Sequence, residues 1–337
     1  MTITTPYYED MSRYSNSCVG WYLNKGPAYL RSMLDGKEEG LSGSSLTRGT
    51  MIHKYLLEKE DFWKDYRVID FDIPSSKQQK DLCAEYTKSQ KVDPWMSEEE
   101  RRLTAYSKAY NNKKTEAAIL TEIEGIISAN QAYLDYLKEE DKRTLISFAD
   151  VNMLKAIEKN IKEHKLANSL LFNIPETSEA YNEFHINWDF PRAHHGINLQ
   201  CKSLIDRVIV DHISQTITLI DIKTTVDVND FGTSVDKYDY TRQLAYYWIA
   251  ICWYMKNVKN IDVFELDYKF ETYIIAIENN NKYQSRVFKI TPEELENRLS
   301  TIEHAISEIC WHEVNTKWDQ YREYYEGDGS ESIKRCF

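Results

Sequence analysis

Asp221 and Lys223 stand one residue apart in LIDIKTT, a β-branched apolar run that reads as a buried strand. Residues two apart on a strand share a face, so both charges point the same way while Ile222 points opposite. Burying such charges is costly unless each finds a partner. Upstream, INLQCKSLIDRVIVD reads as a second strand, joined to the first by HISQ. With HISQ as a four-residue hairpin loop, Asp211 pairs with Thr216, and Asp206 falls directly opposite Asp221. Directly opposed side chains have Cβ atoms about 4.5–5.5 Å apart, and like charges there repel. Something positive must stand between them: Lys223, a divalent cation held by hard carboxylate oxygens, or both. A lysine beside a cation-held phosphate can orient a water or stabilise developing negative charge. Without a cation, the Asp/Lys spacing is only a structural ion pair at a strand end.

Two further segments carry side chains at suggestive spacings. GTMIH opens a helix from near Thr50 whose core face is Met51/Tyr55 and Ile52/Leu56, leaving His53 at the edge of that face. In QLAYY, Gln243 and Tyr247 are four apart and share one helix face. Taken singly, each is equally a core or surface residue of an ordinary helix.

The elements that must position these groups follow from periodicity. A helical entry (SNSCVGWYLNKGPAYLRSML) precedes a Gly/Ser loop, EEGLSGSSLTRG. Residues 77–168, rich in Lys, Glu, Ala and Leu at helical spacing, read as an all-helical block. After Pro175 the period changes to that of strands: YNEFHINWDF, a turn at PRAHHG, and the two strands already described, forming an antiparallel meander. Pairing across PRAHHG sets Glu183 opposite Lys202, an alternative to a site role for this acid. A helix over roughly 239–256, strands within 264–290, a helix from Pro292 to about His312, and a flexible tail complete the chain. His194 and His195, beside Gly196 in a Pro/Gly turn, read as loop residues.

Composition narrows the classes. The 337 residues are 42% hydrophobic, enough for a sizeable core. Six scattered cysteines with no CxxC pair predict neither a zinc site nor a disulfide framework. The start, MTITTPYYEDM, lacks the regions of a signal peptide, and no run is apolar enough for a membrane span, so a cytoplasmic protein is expected. A net charge of −12 argues against gripping nucleic acid by bulk electrostatics, while leaving room for local basic tracks and cation-binding carboxylates.

In this order, GxxxH, D, DxK and QxxxY resemble the PD-(D/E)XK nuclease superfamily, and most closely its RecB/RecE branch. SNSCVGWYLNKGPAYL with RGTMIHKYLLEKEDFWKDYRV, and the WxxY at Trp318 and Tyr321, are similar to the exodeoxyribonuclease VIII (RecE) nuclease family. The resemblance implies an α/β, restriction-endonuclease-like mixed central sheet flanked by helices, here with a large all-helical insertion. The expected parts are a helical amino-terminal portion of the core (1–76), the insertion (77–168), the catalytic sheet with its helices (169–322) and a flexible tail (323–337). It further implies that Asp206, Asp221 and the Ile222 carbonyl hold Mg²⁺ or Mn²⁺, with His53 completing the site. Lys223 would position the attacking water or stabilise the transition state, and Gln243 and Tyr247 would contact phosphate or order the site. Arg48, Ser15, Ser17 and Arg242 are candidate DNA contacts, and Glu183 an additional acid. Some relatives hold an iron–sulfur cluster on one early and three clustered late cysteines; Cys310 and Cys336 lie too far apart for that, so no cluster is expected. The implied activity is 5′-to-3′ exonucleolytic hydrolysis of duplex DNA ends in recombination. A single-strand annealing protein and a homo-oligomer are the implied partners, and the host cytoplasm of a phage is the implied setting. A structure-specific or single-strand endonuclease of the same fold, and a non-catalytic DNA-binding module, are the alternatives.

Overall fold

The first helix, α1 (Asn16–Leu34), is bent where Gly26 adopts φ 85° immediately before Pro27. Glycine carries no steric penalty there. A Cβ at this position would lie 2.8 Å from the Tyr321 hydroxyl, so the closing segment also requires its absence. The computed structural model describes residues 7–38, 44–111, 114–139, 141–280 and 282–331. Parts of the expected amino-terminal stretch and Gly/Ser loop, Cys336 and the last six residues of the expected tail lie outside them. The second helix, α2 (Ser44–Leu57), begins six residues before Thr50, inside the segment expected to be loop. Small polar residues at its start tolerate a first helical turn as readily as a loop.

The chain forms two compact units, one of Met1–Lys59 with Met153–Phe337, the other Glu60–Asn152. The second contains most of α3 (Lys59–Asp65), then β1 (Tyr66–Ile69), α4 (Lys77–Val92), α5 (Glu98–Ala109), α6 (Glu116–Ala129), α7 (Gln131–Lys138) and β2 (Thr144–Ser147). Its helices bury Leu82, Cys83, Tyr106, Ile123 and Leu134 together. The block expected to be all helix includes one strand, because TLIS of β2 pairs in parallel with YRVI of β1. A four-residue strand is too short for its period to be told from a helical turn.

Through α8 (Phe148–Glu163) and α9 (Lys165–Leu171) the chain returns to the first unit, where it builds a mixed five-stranded sheet. The sheet contains β3 (Ser178–Asp189), β4 (Gln200–Asp211), β5 (Thr216–Thr225), then, after α10 (Phe231–Tyr238) and α11 (Tyr240–Asn257), β6 (Lys269–Glu278) and β7 (Ser285–Ile290). Two helices follow, α12 (Pro292–Asn315) and α13 (Arg322–Glu326). Strands β3, β4 and β5 are antiparallel neighbours, and β6 is parallel to β5. A parallel neighbour needs a long crossover, which α10 and α11 supply. The apolar face of α11 packs Leu244, Tyr246 and Ile251 into a core with Trp188, Cys201, Val208 and Ile217. The tail boundary at 323 falls inside α13, which is held by the Trp311 indole N–H donating to Glu326 at 2.8 Å.

Two registers decide the site. Across HISQ, Asp211 faces Thr216 and the ladder runs to Arg207 opposite Ile220, the pairing read from the sequence. Across the preceding turn the register differs by four residues: Lys202 faces Asn187 rather than Glu183. The connection is not PRAHHG alone, because the Phe190 N–H donates to the Leu199 carbonyl at 2.9 Å and a smaller turn, bridging His194 to Ile197, sits inside it. An even shift keeps every side chain on its face. Glu183 therefore moves along the sheet to stand beside Asp206, flanked by the pairs Asn182–Arg207 and Phe184–Ile205.

Candidate active site

The β4–β5 ladder stops at Arg207 and Ile220, one pair short of Asp206 and Asp221. Beyond it, the Asp206 carboxylate takes the place of a strand partner: its Oδ2 accepts the Ile222 N–H at 2.6 Å. The N–H and C=O of one strand residue leave on the same edge, so the Ile222 carbonyl also faces this opening. From α2, the His53 imidazole Nδ1 reaches to 3.6 Å from Asp206 Oδ2. From β3, Glu183 enters on a backbone with φ 43°, a left-handed conformation that costs a non-glycine residue and turns its side chain inward. His53, Glu183 and Asp206 each bring one ligand atom to within 4.8 Å of the others.

Asp221 belongs to a different pair. Only 1% exposed, its carboxylate lies with Oδ2 2.6 Å from Lys223 Nζ. Its other oxygen, Oδ1, is buried and has no donor among the described residues. The expectation that His53, Asp206 and Asp221 converge is thus met differently: among the described residues the close trio contains Glu183 in place of Asp221. The physical reason is the revised β3–β4 register together with the pull of Lys223 on Asp221.

The electrostatics are those of a pocket with more acid than base. Burial works against charge on Asp206, but His53, Lys223 and the Ile222 N–H outweigh it and hold its pKa low. Burial pushes the Asp221 carboxyl up to about 6, against the pull of Lys223 and with help from Asp206. Burial likewise raises Glu183 to about 7, reinforced by Asp206. Desolvation opposes the charged forms of Lys223 and His53, yet the carboxylates win and raise both. An orphaned buried carboxylate oxygen, two acids pushed up and a convergent acid/imidazole trio are an arrangement that a divalent cation would complete. The donor set of carboxylate oxygens and one imidazole fits such an ion, with the imidazole favouring Mn²⁺ over Mg²⁺.

The other expected residues separate into two groups. Gln243 donates to the Tyr247 hydroxyl at 2.8 Å, and burial, then Asp221 and Asp206, raise the pKa of that phenol, so the pair stands at the acid pocket. Arg48 and Ser17 are exposed. Arg242 is not available to a phosphate: 5% exposed, it donates to both oxygens of Asn16 and to Asp239, and Gly20 leaves room for its guanidinium. Ser15 is likewise buried, its hydroxyl 3.5 Å from the Cys18 thiol. These two fasten the start of α1 rather than face solvent. His194 and His195 are loop residues.

One neighbour of the site was not singled out from the sequence. Tyr240 places its ring 5.0 Å from Lys223 Nζ. The signal was present, since Tyr240, Gln243 and Tyr247 are spaced i, i+3, i+7 and line one helix face.

Comparison with known proteins adds family evidence to this geometry. No curated protein matches the sequence. A crystallised protein from Eubacterium rectale, described as a candidate exonuclease, aligns over 100% of this chain and 96% of its own at 12% identity, with a TM-score of 0.48. Another crystallised protein, SSO0001, aligns over 76% of this chain and 83% of its own at 13% identity, with a TM-score of 0.26. Residues 193–326 match the model of a family described as a PDDEXK-like domain of unknown function. That span includes Asp206, Asp221, Lys223, Gln243 and Tyr247, so this part of the chain is similar to PD-(D/E)XK-like domains.

Proposed function

We propose that this protein is a divalent-cation-dependent deoxyribonuclease that hydrolyses phosphodiester bonds, acting as a 5′-to-3′ exonuclease on duplex ends. The observation that carries the reading is the buried Asp221 carboxylate, short of donors and paired with Lys223, at the mouth of the strand opening that holds Asp206, Glu183 and His53. Asp206, Asp221, Glu183, His53 and the Ile222 carbonyl would hold Mg²⁺ or Mn²⁺. Such a cation supplies Lewis acidity toward the phosphate and a nucleophile at neutral pH. Lys223, kept protonated by the carboxylates, would place positive charge where negative charge develops on the phosphate. Gln243 holds the Tyr247 hydroxyl at the pocket, where the two would order the phosphate or the water that attacks it. Polarity, a role in recombination, an annealing partner, a ring-like oligomer and a phage setting rest on the resemblance to the RecE branch.

The test is digestion of end-labelled linear duplex and of a covalently closed circle, with Mg²⁺ or Mn²⁺. Release of label from the linear DNA, a resistant circle, and loss of at least about a hundredfold of the activity in Asp221→Ala are expected. Rapid linearisation of the circle would replace the exonuclease with an endonuclease. No cation-dependent cleavage of either DNA would overturn the nuclease reading.

A further inference from the structure

A row of aromatic rings leads from the acid pocket to solvent. Tyr240 lies against Lys223, with Nζ 5.0 Å from its ring centre. Tyr238 stacks on Tyr240 at 5.7 Å with 26° between planes. On the inner side, Phe231 stacks on Tyr240 at 6.0 Å and Phe288 on Phe231 at 5.2 Å, which anchors the row in the core. Phe231 is 1% exposed, whereas Tyr238 is 55% exposed.

The backbone between the two tyrosines is specialised. Asp239 joins α10 to α11 at φ 50° and ψ 53°, a left-handed conformation that a non-glycine residue adopts at a cost. Four groups hold it there: its carboxylate accepts from the Arg242 backbone and side chain and from the Thr241 hydroxyl, and Arg298 lies 3.3 Å away. An ordinary helix would project residues 238 and 240 to different sides. The left-handed joint instead brings the two rings into a stack. A solvent-facing tyrosine usually needs no such support, so both the joint and the exposed ring call for an explanation.

We propose that Tyr238 and Tyr240 form a stacking platform for the nucleobase of an unpaired nucleotide next to the phosphate held at Lys223. This deepens, and rests on, the nuclease reading, by assigning the substrate as a strand whose end is unpaired or frays on binding. The separations of 5.0 and 5.7 Å laid end to end span no more than about three base steps at 3.4 Å each. A platform that close receives a neighbour of the reacting nucleotide. Every base has a π face, so such a platform accepts all four bases, as an enzyme without sequence preference requires. Lys237 rests its ammonium 5.2 Å from the Tyr238 ring centre. Exposed and flexibly tethered, it is displaced by an arriving base and left free for the adjacent phosphate.

The experiment measures binding, in Ca²⁺ without Mg²⁺, of fluorescently labelled duplex DNA with a short single-stranded end. The same DNA carrying abasic sugars through the single-stranded end is the second ligand. For the normal DNA, Tyr238→Ala is expected to weaken binding about tenfold and Tyr238→Phe to leave it unchanged. For the abasic DNA, the parent protein and Tyr238→Ala should bind alike, because the group that stacks is gone. Equal binding of normal DNA by the parent and Tyr238→Ala proteins would overturn the proposal, as would the same weakening on abasic DNA, which would mark a purely structural effect. A parent protein that binds neither DNA would remove the nuclease reading and the platform with it, a distinguishable result.

Discussion

At the scale of residues, the pocket is built so that its charges do not balance without a cation, and this makes a prediction about the cation-free protein. The folded-state pKa of Asp221 is raised to about 6, so between its unfolded value and 6 the folded chain binds more protons than the unfolded one. Stability therefore falls as pH rises through that window, and Glu183, raised to about 7, extends the decline. Asp206 shifts the opposite way, but its window lies below the ordinary aspartate value. Thermal unfolding in EDTA is expected to show a loss of about 1–3 kcal/mol between pH 5 and 7. Asp221→Asn should remove the lower-pH part of that slope, leave the part due to Glu183, and be more stable than the parent at pH 7, while losing most of the stabilisation by Mn²⁺. A cation-free stability that rises over this range would contradict the charge arrangement. The placement of Asp221, Lys223 and Asp206 was legible, because a charge in an apolar strand is conspicuous and HISQ sets the register of the two strands. The partnership of Glu183 was not, since it depends on a register that local sequence leaves open.

At the scale of elements, what was legible followed period, and what was missed followed turn chemistry. The strand TITLIDIKTT was read to the residue because HISQ closes the hairpin in one simple way. The β3–β4 connection departs from its expected register because PRAHHG has the composition of a complete turn, while the chain nests a tight turn at His195 and Gly196 inside a wider loop. Helix α10 is not legible in VDVNDFGTSVDKYD, which is rich in residues that favour turns. A second consequence concerns α1, where Gly26 combines a left-handed backbone with contact against Tyr321. Gly26→Ala should cost about 1–3 kcal/mol, from backbone strain and from displacement of the Tyr321 hydroxyl. Adding Tyr321→Phe should make the double variant less unstable than the two single losses combined, because the clashing oxygen has been removed. Denaturant melts of the four proteins give that interaction energy directly. Strict additivity would mean that the closing segment does not press on the kink.

At the scale of the whole molecule, a chain of net charge −12 that is proposed to act on DNA must do so through a few well-placed cations. Near the pocket these are Lys223, the exposed Lys237 and Arg48, and Lys54, which is paired with Glu58 at 3.2 Å. The remaining surface, acidic on average, repels a polyanion at range. Affinity then comes from the cation held by the carboxylates, from ring stacking and from about four phosphate contacts, rather than from an extended basic face. Because each neutralised phosphate adds about −0.9 to the slope of log affinity against log salt, the expected slope is no steeper than about −4. Titrating KCl against labelled DNA at fixed Ca²⁺ measures it. Lys237→Ala should reduce the steepness by about one, and Tyr238→Ala should lower affinity while leaving the slope unchanged, since stacking releases no counterions. A slope near −8 would require a continuous basic surface, at odds with the charge of this chain, and would move the DNA path away from the pocket.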